Sequence, residues 1–216
     1  MKFLSLSIAT LLMVAGFSLS AQSNVEAKKW LNQASEKAKS YDKIYLEFDY
    51  NFVNNRVDPP VTQEESGNIA IKDDNYHLNF MGTTQIRDGA KLYTVLEMDE
   101  EVQVTEYDPE EAEQGLTPTN IFDLYKKGYS LKLGGSETKD GKNIQYVILK
   151  PNASEDIDKI MVGIDKDSKH FTSFKQWGTN GTETTFVVTS FNPQKSLPAG
   201  YFSFDKSDYP GYYIAD

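Results

Sequence analysis

The sequence predicts a mainly β protein of the α+β class. Its expected form is a curved, barrel-like antiparallel sheet of about eleven strands with helices covering its concave hydrophobic face. Three observations carry this expectation. Period-two alternation of apolar and polar residues recurs along most of the chain. The separators between these stretches are short, which suits antiparallel neighbours and leaves no room for βαβ crossovers. Helical spacing occurs in only two places after the leader. So many strands in one domain cannot lie flat, so the sheet must curl or split.

The first twenty-one residues are set apart from the fold. Lys2 is followed by the apolar run Ile8–Phe17 and by the small-residue exit Ser18-Leu19-Ser20-Ala21. That is the grammar of a secretory signal peptide, and the run is too short for a membrane span. Residues 22–216 then form one exported domain. The chain has no cysteine, and an exported domain without disulfides fits a bacterial periplasm. The whole chain carries a formal charge of −10; without Lys2, 21 basic residues face 32 acidic ones, so the exported part carries −11.

The exported part opens with a helix. Ser23-x-x-Glu26 reads as a capping box, after which Ala27, Trp30, Leu31, Ala34 and Ala38 recur on one face. Lys28, Lys29, Glu36, Lys37 and Lys39 take the other face, and Trp30 is the expected anchor. The period then changes to two. Ile44, Leu46, Phe48, Tyr50 and Phe52 alternate with Lys43, Tyr45, Glu47, Asp49 and Asn51, a half-buried strand. Further strands are expected at about Glu65–Lys72, Tyr76–Phe80, Thr84–Arg87, Ala90–Met98 and Val102–Tyr107. Asp88-Gly89 between two of them is a tight-hairpin signal, because Gly accepts the positive φ that the turn demands. A short helix interrupts the strands. Thr117 caps it, Pro118 opens it, Ile121, Phe122, Leu124 and Tyr125 give it an apolar face, and Gly128 stops it. Strands resume at about Tyr129–Glu137, Lys142–Lys150, Lys159–Asp165, His170–Gly178 and Glu183–Phe191, and a last one is expected at Tyr201–Asp205.

Composition removes several kinds of chemistry. Without cysteine there is no thiol nucleophile and no thiolate metal site. The acidic balance argues against a nucleic-acid partner, which needs clustered Lys and Arg. No nucleotide-binding, hydrolase or metalloprotease motif occurs, and nothing calls for a cofactor or a metal. His77 and His170 are the chain's two histidines, and both read as solvent-facing. Asp165-x-Asp167 lacks the Gly and the terminal Glu of a calcium loop and reads as a hairpin tip. No carboxylate pair is singled out for acid–base work, so an enzyme is not expected.

Apolar bulk on the strands remains. Phe48, Tyr50, Phe52, Leu78, Phe80, Leu92, Tyr146, Ile148 and Phe186 fall on alternating faces. They either fill a core or line a cavity left open beneath a short second helix. Composition does not separate these two readings.

Several segments, in order, carry a resemblance. They are Lys39-Ser40-Tyr41, Leu46-Glu47-Phe48-Asp49-Tyr50, Gly67-Asn68-Ile69-Ala70-Ile71-Lys72 and Asp88-Gly89-Ala90-Lys91-Leu92-Tyr93, then Glu101-Val102, Thr117-Pro118 and Leu197-Pro198-x-x-Tyr201-Phe202-x-Phe204. Together they resemble the periplasmic outer-membrane lipoprotein carrier proteins, the LolA family, over almost all of residues 22–216. The resemblance implies an unclosed antiparallel β-barrel with a helical lid over a hydrophobic cavity. The cavity would receive acyl chains of lipoproteins. The implied partners are acylated lipoproteins, an inner-membrane lipoprotein-releasing ABC transporter, and an outer-membrane acceptor or the membrane surface. The implied cavity residues are Leu46, Phe48, Tyr50, Phe52, Ile69, Ile71, Leu78, Phe80, Leu92, Tyr146, Ile148 and Phe186. The implied lid residues are Trp30, Leu31, Ile121, Phe122 and Tyr125. One feature departs from the family: no Arg follows Lys72, where Asp73-Asp74 stands instead, so no lid-closing residue is carried over. The alternative to a lipoprotein carrier is a periplasmic binder of another lipid or hydrophobic small molecule.

Overall fold

The computed structural model describes residues 6–108 and 122–215, with side chains from residue 22 onward. Twelve strands form one sheet: β1 (Ile44–Asn54), β2 (Val61–Lys72), β3 (Asn75–Phe80), β4 (Thr83–Asp88), β5 (Lys91–Leu96), β6 (Glu101–Glu106), β7 (Tyr129–Lys139), β8 (Lys142–Pro151), β9 (Ile157–Asp165), β10 (Phe171–Gly178), β11 (Thr182–Phe191) and β12 (Tyr213–Ala215). Their order is β12-β6-β5-β4-β3-β2-β1-β11-β10-β9-β8-β7. The sheet is therefore two meanders joined where β1 pairs with β11, from Leu46 opposite Phe191 to Asn54 opposite Thr182. β7 and β12 are its edges, so it does not close. Every pairing is antiparallel except β12 with β6.

Among the described residues one α-helix, α1 (Leu6–Lys39), lies against β7, β8 and β9. It begins inside the apolar N-terminal run, because Leu, Ala and Met there favour helix. Ser23 is consequently mid-helix and not a cap; its hydroxyl accepts the Leu133 backbone N–H of β7 at 3.1 Å. The side chain thus occupies one donor of an edge strand. Among the described residues no helix is long and apolar enough to cross a membrane.

The second expected helix is reduced in its described part to a turn at Phe122-Asp123 and a single 3₁₀ turn, Leu124–Lys126. Thr117, Pro118 and Ile121 lie outside the described residues. Gly128 takes a φ of +79° and ends the turn as expected.

The inner face holds two clusters. In the first, Ala27, Leu31 and Ala34 of α1 meet Val147, Leu149, Ile160, Val162, Ile164, Phe174 and Tyr125. Leu31 is buried to 1 % exposure, so Leu31→Ala belongs to the class of core truncations that cost about 2–5 kcal/mol. In the second, Phe48, Ile69, Ile71 and Tyr76 gather Leu46, Tyr50, Leu78, Phe80, Leu92, Phe122 and Phe186. The helix presses on the first cluster and leaves most of the second uncovered.

The outer face has a cover of its own. After β11 the chain turns back, and Asn192 donates its N–H to the Tyr45 carbonyl. It then crosses β1 to β6. Tyr201 stacks on His77 (centroids 4.4 Å apart), and Phe204 stacks on Tyr93 (4.2 Å). His77 Nδ1 donates to the Tyr201 carbonyl at 2.8 Å, so His77 is covered by chain and not solvent-facing. Tyr201–Asp205 is not a strand. Phe202 and Phe204 alternate, but the rings that lie flat on the sheet are Tyr201 and Phe204, three residues apart, and the backbone joins the ladder only at Tyr213, whose N–H donates to the Glu100 carbonyl.

An apolar cavity between helix and sheet

A cavity of about 310 Å³ lies between α1 and the inner face of β1 to β4 and β9 to β11. Its floor comes from the alternation of β1 to β3, which turns Leu46, Phe48, Ile69, Ile71, Leu78 and Phe80 inward. Phe186, Val188 and Phe191 of β11 continue the floor, and Val162, Phe171 and Phe174 form the wall beneath the helix. Above, α1 offers only Ala34 and Ala38, and Phe122 completes the cover. The cavity exists because α1 presents small side chains where the floor curves away. Upstream, Leu31 closes the same gap against β8 and β9.

The aromatic rings form one connected set. Phe48 lies 5.4 Å from Phe80 and 5.6 Å from Phe186, and Tyr50 lies 5.2 and 5.1 Å from the same two rings. Such tilted and edge contacts suit the ring quadrupoles. The seat for Phe48 is Gly67, its partner on β2. A Cβ at Gly67 would stand 2.6 Å from the Phe48 ring and 2.9 Å from the Asn79 carbonyl, so only glycine lets the ring lie there. Burial raises the Tyr50 hydroxyl above its usual pKa, with Thr184 opposing.

The segment carrying Phe122 is fastened to α1 by polar contacts. Asp123 accepts a hydrogen bond from the Ser35 hydroxyl at 2.9 Å and pairs with Lys39 and with Lys126, the latter at 2.7 Å. Two residues on, the Tyr125 hydroxyl donates to Asn32 Oδ1 at 2.8 Å. Burial alone would raise the Asp123 carboxyl, but hydrogen bonds from Lys126, Lys39 and Ser35 outweigh it and hold the group below its ordinary value. This cluster supplies an attachment between cover and helix in a chain that has no Arg after Lys72.

His170 stands at one end of the cavity, half-buried and not solvent-facing. Its ring stacks on Phe191 with centroids 4.0 Å apart, and its Nε2 lies 2.8 Å from the Tyr41 hydroxyl. Burial lowers its pKa, the Lys37 and Lys142 charges lower it further, and Asp165 opposes. Asp165 itself accepts from the backbone N–H groups of Asp167 and Ser168, which is the hairpin-tip role read from the sequence.

The expected cavity residues divide into three groups. Leu46, Phe48, Ile69, Ile71, Leu78, Phe80 and Phe186 line the cavity together. Tyr50 and Leu92 pack against the same cluster without lining it. Phe52 shares the inner face of β1 but lies further along the strand, opposite Gln63 and Thr184. Tyr146 and Ile148 are on the other face of β8, because Val147 and Leu149 are the ones that meet α1. The Tyr146 hydroxyl donates to Glu137 at 2.6 Å, and burial, with that carboxylate, pushes its pKa to about 12.

Of the expected lid residues, Phe122 lines the cavity, while Leu31 and Tyr125 are core beneath the helix. Trp30 packs at the edge of that core with the Lys169 ammonium 4.3 Å from its ring centre, and Ile121 lies outside the described residues. The lining residues not anticipated include Ala34, Ala38, Gln85, His170 and Phe191. Helical spacing placed both alanines on the apolar face, and their small size was the available sign of a gap.

No family model matches the chain. No curated protein matches it either. Solved structures do resemble it. An uncharacterised conserved protein from Thermus thermophilus is 8% identical with a TM-score of 0.56, and the match covers 88% of this chain and 98% of that one. The Mycobacterium tuberculosis lipoprotein LppX is 12% identical with a TM-score of 0.49, covering 82% and 100%. A LolA superfamily protein from Nitrosomonas europaea is 11% identical with a TM-score of 0.42, covering 82% and 97%. At these identities the likeness is one of fold, and the fold this chain shares with the Thermus thermophilus protein is that of its unclosed, helix-backed β-sheet.

Proposed function

We propose that this chain is a periplasmic carrier, related in role to the LolA family, that shelters acyl chains of lipoproteins and performs no covalent chemistry. The observation that carries the proposal is the cavity of about 310 Å³, walled by Phe, Leu, Ile and Val side chains and left open by two alanines of α1. Each buried CH₂ of an acyl chain gains about 0.8 kcal/mol over exposure to water. A chain crossing an aqueous space therefore needs such a shelter. Release needs a cover that can open, and the Phe122 segment, held by the few polar contacts of Asp123 and Tyr125, fits that part. The signal peptide read in residues 1–21 would deliver the protein to the periplasm, where the releasing transporter and the outer-membrane acceptor would be its partners.

The test compares an acylated lipoprotein with its own non-acylated form. In detergent-free buffer the acylated form should elute as a soluble complex with this protein, and the non-acylated form should elute alone. Equal retention of both forms would overturn the proposal. The second reading, a binder of another lipid or small hydrophobic molecule, draws on the cavity's size. Its volume stands at the lower end of the range of about 300–1,000 Å³ for small-molecule pockets. Solvent extraction of protein isolated from its host, followed by mass spectrometry, distinguishes the two: a free lipid in stoichiometric amount favours the second.

A further inference from the structure

Three polar residues interrupt the apolar lining: Gln85, His170 and Ser173. One of them is occupied. His170 meets the Tyr41 hydroxyl and stacks on Phe191. The Ser173 hydroxyl makes no hydrogen bond among the described residues and is packed against Gly163 on β9, where a Cβ would stand 2.4 Å from it. Gln85 differs. It lies on β4 between Leu78 of β3 and Thr94 of β5, and its carboxamide makes no hydrogen bond among the described residues. The inner face grows polar from there outward. Two residues on, Arg87 holds its guanidinium 3.5 Å from the centre of the Tyr107 ring. The floor of β1 to β3, by contrast, is hydrocarbon.

We infer that Gln85 is a carbonyl-binding subsite, which takes the ester or amide carbonyl at the head of an acyl chain while the chain itself runs over Phe48 and beneath Ala34 and Ala38. The inference rests on the acyl-carrier reading above and adds a direction and a linkage preference to it. A carboxamide offers two N–H donors and one acceptor. A carbonyl oxygen satisfies one donor, whereas an all-hydrocarbon occupant leaves the group stripped of water and unpaired. The alkyl ether of the same lipid has no carbonyl and only a weaker acceptor. The site should therefore prefer ester-linked to ether-linked chains by roughly three- to tenfold, the size expected of one neutral hydrogen bond.

The experiment measures displacement of an environment-sensitive fluorescent probe from the full chain by two lipopeptides. They share one peptide and one chain length, and carry either two palmitoyl esters or two hexadecyl ethers. The wild-type protein should bind the ester form roughly three- to tenfold more tightly. Gln85→Leu should bring the ratio to about one without weakening the ether form. A wild-type ratio of one, or an undiminished ratio in Gln85→Leu, overturns the subsite while leaving the carrier reading in place. Binding of neither lipopeptide overturns both. Melting temperature checks the variant's fold, and Gln85→Met supplies the same comparison if the leucine protein does not fold.

Discussion

Ala38→Leu separates a hollow cavity from a filled one by the sign of its effect on stability. Ala38 is on the last turn of α1 at 6 % exposure and lines the cavity. Leucine adds three carbons, and it is close to alanine in helix propensity, so the helix itself is little affected. If the space is open, burying those carbons stabilises the unliganded protein by at most about 2.4 kcal/mol, at about 0.8 kcal/mol each. In a chain of this length each kcal/mol raises the melting temperature by roughly 2–4 °C. The same carbons occupy volume that a ligand would use, so affinity for an acyl probe should fall about tenfold or more. A filled core gives the opposite sign, since overpacking costs about 1–3 kcal/mol. Thermal unfolding and probe titration are measured on the same preparation. A lower melting temperature with unchanged probe affinity would refute the reasoning that an open space lies under Ala38.

Three further outcomes follow from the geometry. Phe122→Ala should weaken probe binding about tenfold with a stability loss below about 1.5 kcal/mol, because Phe122 is half-buried and covers the cavity from a short turn; urea denaturation beside probe titration checks the ratio. Asp123→Asn should raise hydrogen exchange at Phe122–Gly128 while leaving the Leu31 core protected, since it removes the pairing with Lys39 and Lys126. In the wild type the Asp123 carboxyl is held low, so its contribution is present above the unfolded-state value and is lost as pH falls through the lower folded value. The same exchange should therefore rise in acid below about pH 4. His170 gains a charge on protonation where Asp123 loses one, with a like pH direction. Its folded pKa is depressed, so the unfolded state takes up the proton first and stability falls as pH drops below about 6.5. Melting curves between pH 7.5 and 5.5 should show that loss in the wild type and much less of it in His170→Gln.

The parts of this fold that were legible in the sequence are those where one face is apolar and the other is not. β1 is the clearest case: its inward Leu46, Phe48 and Tyr50 alternate with Glu47 and Asp49, and the strand lies where that pattern put it. β8 was not legible to the same degree, because Tyr146 and Ile148 are as apolar as Val147 and Leu149. Alternation then fixes that two faces exist without saying which one meets the helix. The covering segment after β11 misled for a related reason. Phe202 and Phe204 are spaced as in a strand, yet the rings that stack on the sheet are Tyr201 on His77 and Phe204 on Tyr93, three residues apart and with no ladder beside them. The apolar run at residues 8–17 stands out by composition, but the start of α1 does not, since a run rich in Leu and Ala continues a helix as readily as it precedes one. The cavity itself left only an indirect trace. Space is a property of what is missing, and its sign was alanine at 34 and 38 on the helix face where leucine stands at 31.

Isotope-filtered NMR on the complex with a lipopeptide bearing a ¹³C-labelled palmitoyl chain tests the carrier account most directly. The account predicts contacts from the chain's methylenes to the rings of Phe48, Phe80, Phe122 and Phe186, which line the cavity together. It also predicts none to Tyr146 or Ile148 on the opposite face. Contacts confined to the outer face, or no contacts to those four rings at saturating lipopeptide, would contradict it.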